Sequence, residues 1–205
     1  EIVSEPCMHS AEEAIAYMTT IKQIMQYGDI SSCDQEKGQM RSDVNISVRP
    51  FGQKTLGSKV EIKNMNSFSF IEEAIEYEIE RQITVLENGG TVDQETRGYD
   101  SDKGETFIQR TKEDAHDYRY FPEPDLLPLI LSDTEIEKWK EELPELPIKR
   151  KHRYISELGL PEYDSSLLTS DKSIADWFES VLSCTKNIKA VSNFIMGEIM
   201  RLLSE

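Results

Sequence analysis

Cysteine is scarce in these 205 residues: Cys7, Cys33 and Cys184 are odd in number, far apart and form no Cys-x-x-Cys pair. That excludes a disulfide framework and a thiolate zinc site, and it makes a reducing cytoplasm the expected compartment. Histidine is equally sparse, and His9, His116 and His152 have no metal-ligand spacing. No apolar run approaches the roughly 20 residues that a bilayer helix needs, so no membrane partner is expected. Positive charge is outnumbered, with 23 Lys and Arg against 39 Asp and Glu and a net charge of −16. A protein that coats nucleic acid nonspecifically needs the opposite balance. The chain opens Glu1-Ile2-Val3-Ser4-Glu5-Pro6, without Met, basic n-region or apolar h-region, and reads as an excerpt from a longer protein.

The length suffices for one sizeable domain with a smaller one, or for two small ones. Ser10 and Glu13 form a capping box ahead of Ala11, Ala14, Met18, Ile21 and Met25, an amphipathic helix that Gly28 ends. Over 41–49 the period becomes two: Val44, Ile46 and Val48 alternate with Arg41, Asp43, Asn45, Ser47 and Arg49. After a loop marked by Pro50, Gly52 and Gly57, residues 59–63 alternate again. A hairpin of the two sets Glu61 and Lys63 beside Asp43 and Asn45. A second helix is expected from Ser69, through Ile71, Ile75, Ile79, Ile83 and Leu86, to Gly89-Gly90, with an acidic exposed face. A second hairpin follows over 92–99 and 106–110. Helix, strand pair, helix, strand pair predicts an α+β fold, an antiparallel sheet with helices on one side.

The segment Asp117 to Asp125 holds Pro122 and Pro124 and predicts an extended, aromatic-rich strap. Beyond Pro128 the pattern is helical over 133–143, 147–158, 170–182 and 187–203, with a short turn after Pro161. A boundary near 130 divides the chain into 1–130 and 131–205. The Met18/Met25 and Met196/Met200 stripes read as core.

Arg41, Asp43, Asn45 and Ser47 on one strand face, opposite Glu61 and Lys63, read either as a solvated face or as a site. Asp and Asn are poor strand formers, and carboxylate, amide, guanidinium and ammonium groups together suit phosphate with a divalent cation. Glu61 to Ser67 ends a strand and opens a helix, either a polar connection or an anion-favouring helix start. Gln94-Glu95-Thr96-Arg97 is polar on both faces, as an edge strand is. Asp117 to Phe121 reads equally as a packed strap with Asp117 paired to Arg119. Lys149-Arg150-Lys151-His152-Arg153, the basic run, reads as a solvated helix face or an RNA backbone contact.

Six strings in one order carry a resemblance across essentially the whole chain: EIVSEP (1–6), RSDVNIS (41–47), EIKNMNSF (61–68), QETR (94–97), HDYRYFPEPDLLPL (116–129) and ELP-x4-R within 145–153. The chain resembles the GatB family of tRNA-dependent amidotransferase subunits. The resemblance implies a glutamine synthetase and guanido-kinase-like cradle followed by the start of a helical domain. It implies ATP and magnesium as cofactors. The implied partners are misacylated tRNA and the other two members of a heterotrimeric GatCAB complex, the amidase GatA and the clamping protein GatC. The implied reaction phosphorylates the side-chain carboxylate of Glu-tRNA(Gln) or Asp-tRNA(Asn), and ammonia released from glutamine by the amidase then displaces phosphate. Glu1 matches a magnesium ligand of the family, and Asp43 an aspartate near the metal or the exit of an ammonia channel. Arg41, Asn45, Glu61 and Lys63 fall in family motifs with catalytic roles; Asn64, Asn66, Glu95, Arg97, Asp117 and Arg119 fall in motifs for substrate or ATP. Lys149, Arg150, Lys151 and Arg153 are the expected tRNA contacts. Cys7 stands where Asp is common and Ser42 where Cys is common. The family's upstream metal and channel residues, and its tRNA-gripping tail, have no counterpart in these 205 residues. Two other functions fit the residues: a module binding tRNA and partner subunits without chemistry, and an amine ligase acting on a free amino acid.

Overall fold

The computed structural model describes residues 1–111 and 124–203. The strap from Asp117 to Phe121 lies outside the described residues. Two compact units emerge: Glu1–Thr19 with Asp34–Leu127, and Thr20–Cys33 with Pro128–Glu205. Helix α1 (Ala11–Tyr27) begins in the first unit and ends in the second. Ser10 Oγ accepts the Glu13 N–H at 3.2 Å, while the Glu13 carboxylate accepts from the His9 N–H rather than from Ser10, so the cap is offset by one residue.

In the first unit, β1 (Val44–Ile46), β2 (Val60–Lys63), β3 (Glu95–Asp100) and β4 (Glu105–Thr111) form a four-stranded sheet in the order β1-β2-β3-β4. Both hairpins are antiparallel. The central β2/β3 pair is parallel, because α2 (Phe68–Glu87) returns the chain to the edge it left. The α+β class stands, and the sheet is mixed instead of wholly antiparallel. Ile46 and Ile62 face α2 and bury against Ile71, Ala74 and Ile75, with Ala11 and Met18 from α1 completing the core. Deleting one of these aliphatic side chains costs about 2–5 kcal/mol.

Helix α2 is capped by Ser67, whose hydroxyl accepts the Phe70 N–H at 3.1 Å, and not by Ser69. Its buried stripe is Ile71, Ala74, Ile75, Glu78 and Gln82, whereas Ile83 and Leu86 are exposed. Residues spaced by four advance about 400° on a helix of 3.6 residues per turn, so Ile71, Ile75, Ile79 and Ile83 drift about 40° per step off the sheet. Gln82 stays on the buried line. It accepts the Val48 N–H at 3.1 Å and donates to the Ile46 carbonyl, taking over backbone groups that a longer β1 would use for pairing.

The second unit is helical: α3 (Asp133–Glu142), α4 (Pro147–Ser156), α5 (Glu162–Leu168), α6 (Lys172–Leu182), α7 (Ile188–Phe194), a π-helical turn (Ile195–Ile199) and α8 (Met200–Leu203). Tyr154, Leu160, Leu168, Phe178, Val191 and Ile195 make its core. Tyr27 at the end of α1 is buried here and donates its hydroxyl to the Thr169 carbonyl at 2.9 Å. Burial pushes that phenol up to about 12 against the opposing Arg150 charge. No helix among the described residues is long and apolar enough to cross a membrane.

Candidate active site

The face of the sheet turned away from α2 is polar. Glu61 and Lys63 lie beside Asp43 and Asn45, as the alternating pattern predicts; register pairs Asn45 with Glu61, and the Lys63 ammonium donates to Asp43 Oδ2 at 2.8 Å. Lys63 Nζ also lies 3.5 Å from Glu61 Oε1, and the other Glu61 oxygen accepts from Thr96 Oγ1 at 3.0 Å. Asp43, Lys63, Glu61 and Thr96 thus run as one row of hydrogen bonds and an ion pair across β2 from the end of β1 to β3. The bond to Asp43 outweighs burial and holds the Lys63 ammonium above the usual lysine value. Lys63 remains cationic at neutral pH while partly exposed, so it can meet an anionic group.

The row continues at Gly98, in register with Lys63. A Cβ on Gly98 would meet Gln109 Nε2 at 2.5 Å and Phe107 Cζ at 2.7 Å, so these β4 side chains lie across the strand where glycine leaves room. Beyond β2, Asn64 takes φ +65° and Asn66 is exposed, with buried Met65 between them anchoring the turn. Asn tolerates that left-handed conformation better than most residues. Arg41 is exposed outside β1, and Glu1 is exposed in the irregular segment ahead of α1.

Glu95 and Arg97 take the opposite face. Far from lying on an edge, β3 is central, and Glu95, Thr96 and Arg97 are buried. Arg97 donates to Glu95 at 2.6 Å, to Thr106 Oγ1 at 2.8 Å and to the Thr106 carbonyl at 2.7 Å. Beneath them Glu78 accepts from Arg81 at 2.7 and 3.0 Å, from Gln82 at 2.9 Å and from Thr106 at 2.9 Å. Burial pushes the Glu78 carboxyl up, but the donors, Arg81 foremost, win and leave it below the usual carboxylate range. The sequence reading missed Glu78, Arg81 and Gln82. Their signal was a polar residue on the i+3/i+4 line of Ile71, Ala74 and Ile75.

The basic run is divided likewise. Arg150 is 6% exposed, and its guanidinium holds Asp176 at 2.6 Å and Glu179 at 2.8 Å. Arg153 binds Glu145 through two nitrogens and Glu179 at 2.6 Å. Both arginines sit on the inner, acidic side of α4, a structural engagement that a phosphate would have to break. Lys151 reaches Glu162 at 3.0 Å, and Lys149 is exposed. The two arginines are therefore engaged by carboxylates of the fold, while the two lysines face outward more freely. Asp117 and Arg119 lie outside the described residues.

Among the described residues no three His, Cys, Asp or Glu side chains converge as metal ligands, and Glu1 and Asp43 belong to no such group. Asp43 and Glu61 are engaged by Lys63 and Thr96, and the ammonium is shared between two carboxylates. By themselves these residues fit neither a magnesium ion nor a bare triphosphate.

Residues 1–137 match the family model of the GatB/GatE catalytic domain. Over 205 residues the chain is 54% identical to the B subunit of the aspartyl/glutamyl-tRNA(Asn/Gln) amidotransferase of Caldicellulosiruptor bescii and 53% identical to that of Thermoanaerobacter pseudethanolicus. Over 204 residues it is 53% identical to that of Bdellovibrio bacteriovorus. In each comparison all of this chain is covered and 43% of the relative, so the chain spans less than half the length of these curated relatives. The open polar row thus lies within a segment shared with known amidotransferase subunits, and the chain belongs to the GatB/GatE catalytic domain family.

Proposed function

We propose that this chain is the part of a GatB amidotransferase subunit that supplies one polar wall of the transamidation site. The substrate is misacylated Glu-tRNA(Gln) or Asp-tRNA(Asn). Its side-chain carboxylate is phosphorylated from ATP, in the presence of magnesium, and then attacked by ammonia from a glutaminase partner, the amidase GatA, with GatC joining the complex. The observation that carries this reading is the Asp43–Lys63–Glu61–Thr96 row, a fixed ammonium among acceptors on an open sheet face. Lys63 is suited to neutralise charge that builds on the reacting carboxylate, Asp43 and Glu61 set its direction, and Thr96 fixes Glu61. Positioned charges of this kind contribute most where water is excluded. Glu1, Arg41, Asn45, Asn64 and Asn66 border the row or its flanking segments as further candidates. Glu95 and Arg97 act here by holding β3 beneath it.

The test is phosphate release from labelled ATP by the complete protein with its partners. Release that requires misacylated tRNA supports the proposal. Release with a free amino acid and no tRNA assigns an amine ligase, and none at all leaves a binding module. Residues 1–205 alone are expected to show no magnesium-dependent ATP hydrolysis, because a magnesium site needs more oxygen ligands than the described residues bring together.

A further inference from the structure

The loop between β1 and β2 is a second basic stretch of the chain, apart from the run at 149–153. Residues 49–59 hold Arg49, Lys54 and Lys59 and no acidic residue, in a protein of net charge −16. Arg49 and Lys54 are exposed, as is Lys59, and none forms an ion pair among the described residues. Phe51 at the tip is fully exposed, and Leu56 is half exposed.

The loop is nevertheless built. Pro50 to Gln53 close a turn, the Gln53 N–H donating to the Pro50 carbonyl at 3.1 Å with Gly52 at φ +86°, a type II turn that puts Phe51 at its outer corner. Arg49 Nη1 donates to the Lys54 carbonyl at 2.5 Å, and Gln53 Nε2 to the Thr55 carbonyl at 3.1 Å. At the base, a Cβ on Gly57 would come within 2.2 Å of the Val48 carbonyl, so glycine is required for the two limbs to approach. An aromatic ring held outward by a hydrogen-bonded turn, in a loop whose cations no carboxylate pairs among the described residues, is an arrangement for a ligand that is both flat and anionic. A protein partner would explain the ring but not the absence of any carboxylate; an RNA strand explains both, through base stacking on the ring and phosphates on the cations.

We propose that the β1–β2 loop is an RNA contact, stacking one unpaired base on Phe51 and holding neighbouring phosphates on Arg49, Lys54 and Lys59. It rests on the reading that the substrate is a tRNA. It lies beyond the Ile46–Val60 end of the hairpin, opposite the Asp43–Lys63 end, so it is separate from the polar row.

The complete protein is titrated with fluorescently labelled tRNA at several salt concentrations, as the parent, Phe51→Ala, Phe51→Trp and Arg49→Gln/Lys54→Gln/Lys59→Gln. Phe51→Ala is expected to weaken binding about tenfold with an unchanged salt slope, the loss typical of one stacked base. Phe51→Trp keeps parental affinity. The triple variant lowers the log–log salt slope by about two, at roughly 0.7 per phosphate held on a single strand. Parental affinity and slope in both loop variants overturn the loop proposal alone, and so does lost binding of a partner protein with intact tRNA affinity. No measurable tRNA affinity in the parent overturns the tRNA reading and the loop proposal with it.

Discussion

Glu61 and Arg97 stand one residue apart in register on neighbouring strands, yet they serve opposite faces of one sheet. On the open face, Asp43, Lys63, Glu61 and Thr96 form a row in which Lys63 and Asp43 stay partly exposed. On the helix face, Arg97, Glu95, Glu78, Arg81, Gln82 and Thr106 form a network in which nearly every donor is spent internally. The residue types are alike and solvent access differs. Where charges are buried and mutually satisfied they hold β3 and β4 to α2. Where the same kinds of groups face outward from that braced sheet, a substrate can reach them.

The comparison breaks most readily from the buried side. Glu78→Ala leaves the Arg81 guanidinium without its main acceptor and takes from Arg97 a carboxylate at 3.5 Å, and breaking a buried pair costs about 3–5 kcal/mol. A urea titration is expected to show a matching fall in unfolding free energy. Arg150→Gln with Arg153→Gln should also destabilise the helical unit, since both hold Glu179, whereas Lys149→Gln with Lys151→Gln shifts its melting temperature little. A melting curve for each pair checks this.

Acid titration sharpens the contrast. The Glu78 carboxyl, and Glu179, where the Arg150, Arg153 and Tyr154 donors overcome burial, are held below their ordinary value of 4.5 in the folded state. Each therefore contributes stability that is complete above about 4.5 and is lost as pH falls through its lowered folded value. Glu78→Gln is expected to flatten that acid limb of the stability profile. The smallest effect belongs to the helical surface. Lys149→Gln with Lys151→Gln should lower the salt slope of tRNA binding by less than two, at ~0.7 to ~0.9 for each phosphate no longer held, and leave turnover at saturating tRNA unchanged.

Much of this was legible in the chain itself. The period-two pattern of 41–49 and 59–63 is enough to put Glu61 and Lys63 on the same face as Asp43 and Asn45, while which of them meet follows from the register of the folded hairpin. The parallel β2/β3 pairing was not legible, since it depends on where α2 carries the chain and not on either strand's pattern. QETR looked like an edge because its partners come from elsewhere: only α2, contributing Glu78 and Arg81, makes a polar central strand tolerable. The run at 149–153 looked like one patch for the same reason. Its acceptors, Glu145, Asp176 and Glu179, are scattered in sequence and converge only in the fold.

The central claim, that the open row acts on substrate while the buried network holds the sheet, meets its most direct test in Asp43→Asn of the complete enzyme. Single-turnover amidation of misacylated tRNA and the urea midpoint are measured on the same preparation. The row predicts amidation slowed by at least about tenfold, the effect of losing one positioned charge. The midpoint should shift by no more than an exposed ion pair allows, about 1 kcal/mol in stability. Unchanged amidation per folded molecule, with or without a drop in the midpoint, would contradict the account and leave Asp43 as part of a solvated sheet face.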